Sequence, residues 1–352
     1  MVRVLPITSW GIPCGISEYA GMLGAELARQ DRGVSFLPPG ARDLDPVAFF
    51  TAKIWDSADY DVVWLNYHAA LHVRWTPDQI ARLSHPVVVT YHDTGVPNSD
   101  QCKQLHALGT PFIIHEPAED LPGAIYLRQG IPAARYPQNL FLGSGAPRYD
   151  NPWETWLGCQ QRPIVGTVGF PFPWKNYDLL CHGAALAGWS VLLIAPGEYA
   201  GHKPTGLLDH IDQWRQLNPW TAVVDGFPST ESVVAQLSAC DATAFLYTCC
   251  NTGTSGAIRQ GIAARKPVIA TTSCRQFRDL YEDPVGQAAI SWIDVVDPGQ
   301  PEKVADALAA LPIQRVSPPV VRLAEQDSWA RQADRYAEIF QAAAGQKAGT
   351  HL

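Results

Sequence analysis

The sequence predicts an α/β protein built of two doubly wound parallel-sheet domains, and three observations carry that expectation. Short apolar runs rich in Val, Ile and Leu alternate with stretches of helical period along most of the chain. The alternation occurs twice, separated by an aperiodic linker rich in Pro, Gly, Asn and Trp from Gly143 to Arg162. The 352 residues suffice for two domains at roughly 150 residues each. Hydrophobic residues make up 47% of them, enough to fill two cores.

In the first half, strands are expected at Arg3–Ile7, Val34–Leu37, Asp61–Leu65, Pro86–Tyr91 and Pro111–Ile114. These runs are continuously apolar, the pattern of strands covered on both faces. Ser17–Arg29 and Pro77–Leu83 are the clearest helices between them. In the second half, strands are expected at Ile164–Val168, Ser190–Ala195, Ala222–Asp225, Ala242–Tyr247, Pro267–Ala270 and Ala288–Ile293. Helices fit Tyr177–Ala187, Thr205–Leu217, Thr230–Ala239, Ser255–Ala264 and Pro301–Leu311. A last helix, about Asp327 to Ala344, sets Trp329, Ala333, Tyr336, Ile339 and Phe340 on one stripe.

Composition excludes several classes of function. With 26 basic and 34 acidic residues the net charge is -8, and no basic block stands out. Charge-driven binding to nucleic acid or membrane is therefore disfavoured. Met1–Pro6 is too short and carries Arg3, so it does not read as a signal peptide, and no apolar run reaches the roughly 18 residues of a membrane span. The eight cysteines are scattered without a Cys-x-x-Cys pair or zinc-ligand spacing, which points to reduced, buried thiols in a cytoplasmic protein without a metal.

In doubly wound folds ligands meet the loops at the carboxyl ends of the strands. Thr8 to Ser17 is the first such loop. Gly11 and Gly15 free its backbone to bind an anion at a helix start, although the same glycines also suit a plain turn. Its spacing is not Gly-x-Gly-x-x-Gly, which disfavours a nicotinamide cofactor. Asn251-Thr-Gly-Thr-Ser-Gly256 offers small hydroxyl residues and glycines before the helix carrying Arg259 and Gln260, a good diphosphate cradle without the Lys of a Walker loop; a capped Gly-rich turn has the same residues. Gly169 to Asn176 places Lys175 at a helix entry, where it could neutralise phosphate or simply be solvated. In the first domain His68, His92 with Asp93, and His115 with Glu116 follow successive strands. Their imidazoles suit hydrogen bonds to a sugar or phosphate, or proton transfer. Trp10, Trp64, Tyr67 and Tyr91 are expected in the core rather than in a sugar platform. No Gly-x-Ser-x-Gly elbow or His-Glu-x-x-His motif occurs, so nothing indicates nucleophilic catalysis.

These motifs together resemble the GT-B glycosyltransferases, and within them the family 4-like group, over nearly the whole chain. Cys14-Gly-Ile-Ser-Glu-Tyr19, Tyr60–Leu65 and Val88–Asp93 resemble that group's first domain, and Val165–Gly169 with Lys175-Asn176 resembles the opening of its donor domain. Gly256 to Ala270, ending Lys266-Pro-Val-Ile-Ala270, is the most specific match. The resemblance implies two Rossmann-like domains facing a cleft: residues 1–150 with the returning C-terminal helix at about 327–352 on the acceptor side, and 160–326 binding the donor.

It further implies transfer of a sugar from a nucleotide-sugar to a saccharide, lipid-linked or other small acceptor, without metal or other cofactor and with retention of anomeric configuration. His92 and Lys175 are then the catalytic candidates. Gly15, Gly169, Lys175, Thr252, Gly253, Thr254, Ser255, Gly256, Arg259 and Gln260 line the donor, and Trp10, His68, Asp93 and His115 lie on the acceptor side. The sequence departs from the group at Thr252 and Gln260, where two glutamates are usual, and at Phe170, where an Arg is usual. Arg259 is the candidate to replace the lost positive charge. These departures keep three alternatives open: a degenerate GT-B binding protein, a nucleotide-sugar epimerase or hydrolase, and a nucleic-acid-modifying transferase.

Overall fold

The structure, a computed structural model, describes residues 1–8, 15–36, 60–67, 76–81, 83, 85–92, 100–115, 121, 123–132, 163–196, 207–226, 228–248, 254–272, 274–294, 299–313 and 316–346. The chain divides into two compact units. Unit one comprises Met1–Gly130, Asn251–Thr254 and Asp327–Leu352; unit two comprises Ile131–Cys250 and Ser255–Gln326.

Unit one holds a parallel six-stranded sheet, β1 (Val2–Ile7), β2 (Val34–Phe36), β3 (Val62–Tyr67), β4 (Val87–Tyr91), β5 (Phe112–Ile114) and β6 (Ile125–Tyr126), in the order β2-β1-β3-β4-β5-β6. The register pairs Val4 with Val62 and Tyr67 with Tyr91, so Val-rich strands stack their branched side chains into both covering layers. Every residue of β3 and β4 is buried, as the unalternating apolar runs require. The described helices of this unit are α1 (Gly15–Gln30), α2 (Pro77–Ala81), α3 (Asp100–His106) and α12 (Trp329–Gln346).

Unit two repeats the plan with β7 (Ile164–Val168), β8 (Ser190–Ile194), β9 (Thr221–Val224), β10 (Ala242–Phe245), β11 (Val268–Thr271) and β12 (Ile290–Ile293), all parallel, in the order β12-β11-β10-β7-β8-β9. Its described helices are α4 (Tyr177–Ala187), α5 (Leu207–Leu217), α6 (Thr230–Ser238), α7 (Gly256–Ala263), α8 (Arg278–Tyr281), α9 (Pro284–Ala289), α10 (Pro301–Ala310) and α11 (Pro318–Gln326). One core layer joins Val168, Phe245, Ile258, Phe277 and Leu323; the layer on the opposite face joins Val165, Leu180, Trp214, Ile269 and Val304.

Three departures from the sequence expectation have local causes. The run Ala288–Ile293 is a strand only from Ile290, because α9 occupies the residues before it. Pro284 pre-sets the first helical turn, and the Asp283 carboxylate accepts from the Gly286 amide at 2.9 Å. The short α3 and the two-residue β6 lie below the length at which periodicity shows. Pro318 and Pro319 open α11 rather than break it, since both sit in its first turn, where a missing N–H costs no helical bond.

The C-terminal helix α12 belongs to unit one. Trp329, Ala333, Tyr336, Ala337, Phe340 and Ala343 are buried against Tyr19, Leu23 and Leu27 of α1 and against Val4, Val62 and Trp64 of the sheet. The Tyr336 hydroxyl meets those of Tyr19 at 2.8 Å and Thr90 at 2.9 Å, and the Trp64 indole N–H donates to the Thr90 hydroxyl at 2.9 Å. Burial raises both tyrosine pKa values well above the ordinary value, so this hydroxyl network stays neutral and intact across physiological pH. Removing one member leaves others buried with a lost partner. Tyr336→Phe is expected to cost about 1–3 kcal/mol of stability, measured by denaturant unfolding; a cost near zero would show that the hydroxyls re-pair.

Candidate functional site

Each sheet has one topological switch point, where successive connections leave in opposite directions and ligand crevices form. In unit two it lies between β7 and β10, since β8 and β9 extend to one side and β11 and β12 to the other. Gly169 follows β7 at this point, and its φ of +132° is a conformation that favours glycine. The chain then forms a single 3₁₀ turn, Pro173–Lys175, ended by Asn176 in the left-handed region, φ +52°. Asn tolerates that conformation, and its amide Nδ2 donates to the Leu246 carbonyl at 2.6 Å. The Thr248 amide donates to the Trp174 carbonyl at 2.8 Å. Two bonds thus clip the Lys175 loop onto the chain leaving β10.

These constraints aim Lys175. Its ammonium lies over the Tyr247 ring, 4.9 Å from the centroid, and against the α-carbon of Gly169, where an added Cβ would stand 2.0 Å from Nζ. The Tyr177 hydroxyl donates to the Gly169 carbonyl at 2.7 Å and stays protonated because burial raises its pKa. A cation is therefore fixed at the carboxyl end of the central strand. Phe172 and Trp174, stacked at 4.4 Å, provide apolar surroundings on the same loop.

At the start of α7, Ser255 is buried and occupies the cap position, and its amide donates to the Gln276 carbonyl at 3.3 Å. That amide is committed within the unit; Gly256 opens the helix, and Thr254 is half-buried. Gln260 is buried, with its side-chain amide donating to the Thr230 hydroxyl at 3.5 Å. Arg259 occupies a different place from the one expected of it. Its side chain is 1% exposed and its guanidinium pairs with the buried Asp279 carboxylate. The cation expected to replace the missing Arg at position 170 is thus neutralised inside the core.

In unit one the switch point lies between β1 and β3. Asn66, wholly buried in β3, spans it: Nδ2 donates to the Thr8 hydroxyl at 2.9 Å and to the Ile16 carbonyl at 3.1 Å, and Oδ1 bonds Nε2 of His92. His92 follows β4 and His115 follows β5, with ring centroids 5.0 Å apart, both against the Tyr19 ring. His115 is 2% exposed, and its Nδ1 bonds the Leu127 carbonyl at 2.7 Å. Trp64, Tyr67 and Tyr91 are core residues, as expected. Gly15 opens α1. Trp10, His68, Asp93, Thr252 and Gly253 lie outside the described residues.

The residues that position the candidates, Thr8, Asn66, Asn176, Tyr177 and Tyr247, do not stand out in the sequence as functional. Asn66 has a signal, an amide in the run Val62-Val-Trp-Leu-Asn-Tyr67 where a buried strand has little use for one. Among the described residues no cluster of three or more His, Cys, Asp or Glu could hold a metal, and no helix is long and apolar enough to cross a membrane.

No protein-family model matches the chain, and no curated protein sequence does. Solved structures do match in fold. HepE from Anabaena, crystallised with UDP and glucose, superposes with a TM-score of 0.63 at 17% identity, covering 97% of this chain and 100% of its own. A glycosyltransferase from Rickettsia africae gives 0.66 at 12% identity, over 97% and 98% of the two chains. AviGT4, a glycosyltransferase involved in avilamycin A biosynthesis, gives 0.60 at 15% identity over 99% of each. Near-complete coverage at such low identity establishes a shared GT-B fold.

Proposed function

We propose that the protein is a glycosyltransferase that takes a sugar from a nucleotide-sugar, with unit two binding the donor and unit one the acceptor. The observation that carries this reading is the Lys175 ammonium, fixed beside Gly169 at the switch point of unit two. The shared fold adds support, since HepE has also been crystallised with UDP-glucose. In such a reaction negative charge grows on the leaving diphosphate as the glycosidic bond breaks. A preorganised cation at that point stabilises the transition state more than the ground state. Lys175 supplies that charge from the protein itself, which suits a metal-independent reaction, and we assign retention of anomeric configuration to it. Gly256, opening α7, adds the positive end of a helix dipole in the same unit. The buried cysteines Cys102, Cys181, Cys240 and Cys274 suit a reducing compartment.

A thermal-shift and nucleotide-release screen against UDP-, GDP-, ADP-, CMP- and dTDP-sugars tests the reading. At least one donor is expected to raise the melting temperature and to release its nucleotide faster when an acceptor is added. Binding without turnover would mark a degenerate binding protein, and turnover indifferent to every acceptor a hydrolase or epimerase. No binding at all would remove the donor assignment.

A further inference from the structure

The hydrogen-bond network of unit one determines which nitrogen of His92 is basic. The Ile16 carbonyl can only accept, so the Asn66 atom 3.1 Å from it must be the amide nitrogen. Turning the amide over would set Oδ1 against that carbonyl, two acceptors face to face. Asn66 Oδ1 is therefore the atom that meets His92, and it too can only accept. His92 Nε2 must then carry a proton. The same logic gives the opposite result for its neighbour: His115 Nδ1 lies 2.7 Å from the Leu127 carbonyl, so in His115 the proton sits on Nδ1.

We infer that Asn66 is a positioning residue: it holds neutral His92 as the Nε2–H tautomer, so that Nδ1 is the nitrogen that accepts a hydrogen bond. Any proton that His92 takes up arrives at Nδ1. The burial of Asn66, its two anchored N–H groups and the T-shaped contact of His92 with Tyr19 at 4.7 Å together hold the ring. The expected effect on transfer rests on the function proposed above; the tautomer does not.

The test is a long-range proton–nitrogen correlation spectrum of the full-length protein labelled with ¹⁵N-histidine, at a pH where both rings are neutral. His92 signals are assigned by their loss in His92→Gln. The expected pattern is a protonated Nε2 with unprotonated Nδ1 for His92, and the reverse for His115. A neutral His92 carrying its proton on Nδ1 overturns the inference, and the wild-type spectrum alone decides this. In Asn66→Leu the His92 pattern is expected to move toward a mixture of tautomers while that of His115 stays, and kcat/KM for transfer is expected to fall at least about tenfold. An unchanged His92 pattern, or unchanged transfer, overturns the positioning role. Absence of transfer by the wild type with every donor would sink the proposed function and leave the tautomer result standing.

Discussion

Lys175→Ala is expected to lower kcat for sugar transfer by about 10²–10³-fold, equivalent to about 2.7–4 kcal/mol of transition-state stabilisation, with little change in folding stability. Lys175 is only half-buried and sits on a loop, so its removal costs the fold little. What it removes is the cation held between Gly169 and Tyr247. Gly169→Ala is expected to do comparable damage by geometry. The new Cβ would collide with Nζ, and a φ of +132° is strained for any side chain. Steady-state kinetics beside thermal denaturation checks both. A Lys175→Ala enzyme that turns over at the wild-type rate would end the assignment of Lys175 to the diphosphate.

Arg259→Ala is expected to destabilise the fold more than any other change considered, by about 3–5 kcal/mol, because it leaves the Asp279 carboxylate buried without its guanidinium. The pair is itself incompletely satisfied: Nε and Nη1 of Arg259 have no hydrogen-bond partner among the described residues. Such a pair recovers little of its desolvation cost. Replacing both partners with apolar residues, Arg259→Met with Asp279→Leu, is therefore expected to restore stability to the wild-type level or above it. Donor affinity should stay within about twofold in the double variant, since the guanidinium faces Asp279. Denaturant unfolding and nucleotide binding measure the two effects. Lost nucleotide binding at full stability would return Arg259 to the donor site.

The strands and most helices are legible in the sequence because their punctuation is local. Tyr177–Ala187 has clear ends of this kind. Asn176 precedes it in the left-handed region, and Gly188 ends it with φ +74°. Ile164–Val168 likewise runs from Pro163 to Gly169. The end of helix α9 reads as strand because its signal is a cap, Asp283 with Pro284, rather than a period. The candidate site is legible only in part. A lysine or histidine after an apolar run can be marked from sequence, but its partners come from segments far away in the chain: Tyr247, just beyond β10, for Lys175, and Asn66 in β3 for His92. Arg259 shows the same limit in reverse, since Asp279, twenty positions on, takes its charge into the core.

The order of residues alone specifies the α/β alternation, its two repeats and the loops where chemistry could sit. These follow from side-chain periodicity and from backbone punctuation by Gly, Pro and Asn, which act within a few residues. Which charges are usable is settled only by packing across the sheets. The order of the strands brings β7 beside β10 and β1 beside β3, and burial then assigns each polar atom the partner that the packed neighbours leave to it. Lys175 is aimed at the switch point, Arg259 is neutralised, and His92 receives its tautomer from Asn66, because hydrogen-bond satisfaction in a core depends on contacts across the sheet and not on neighbours along the chain.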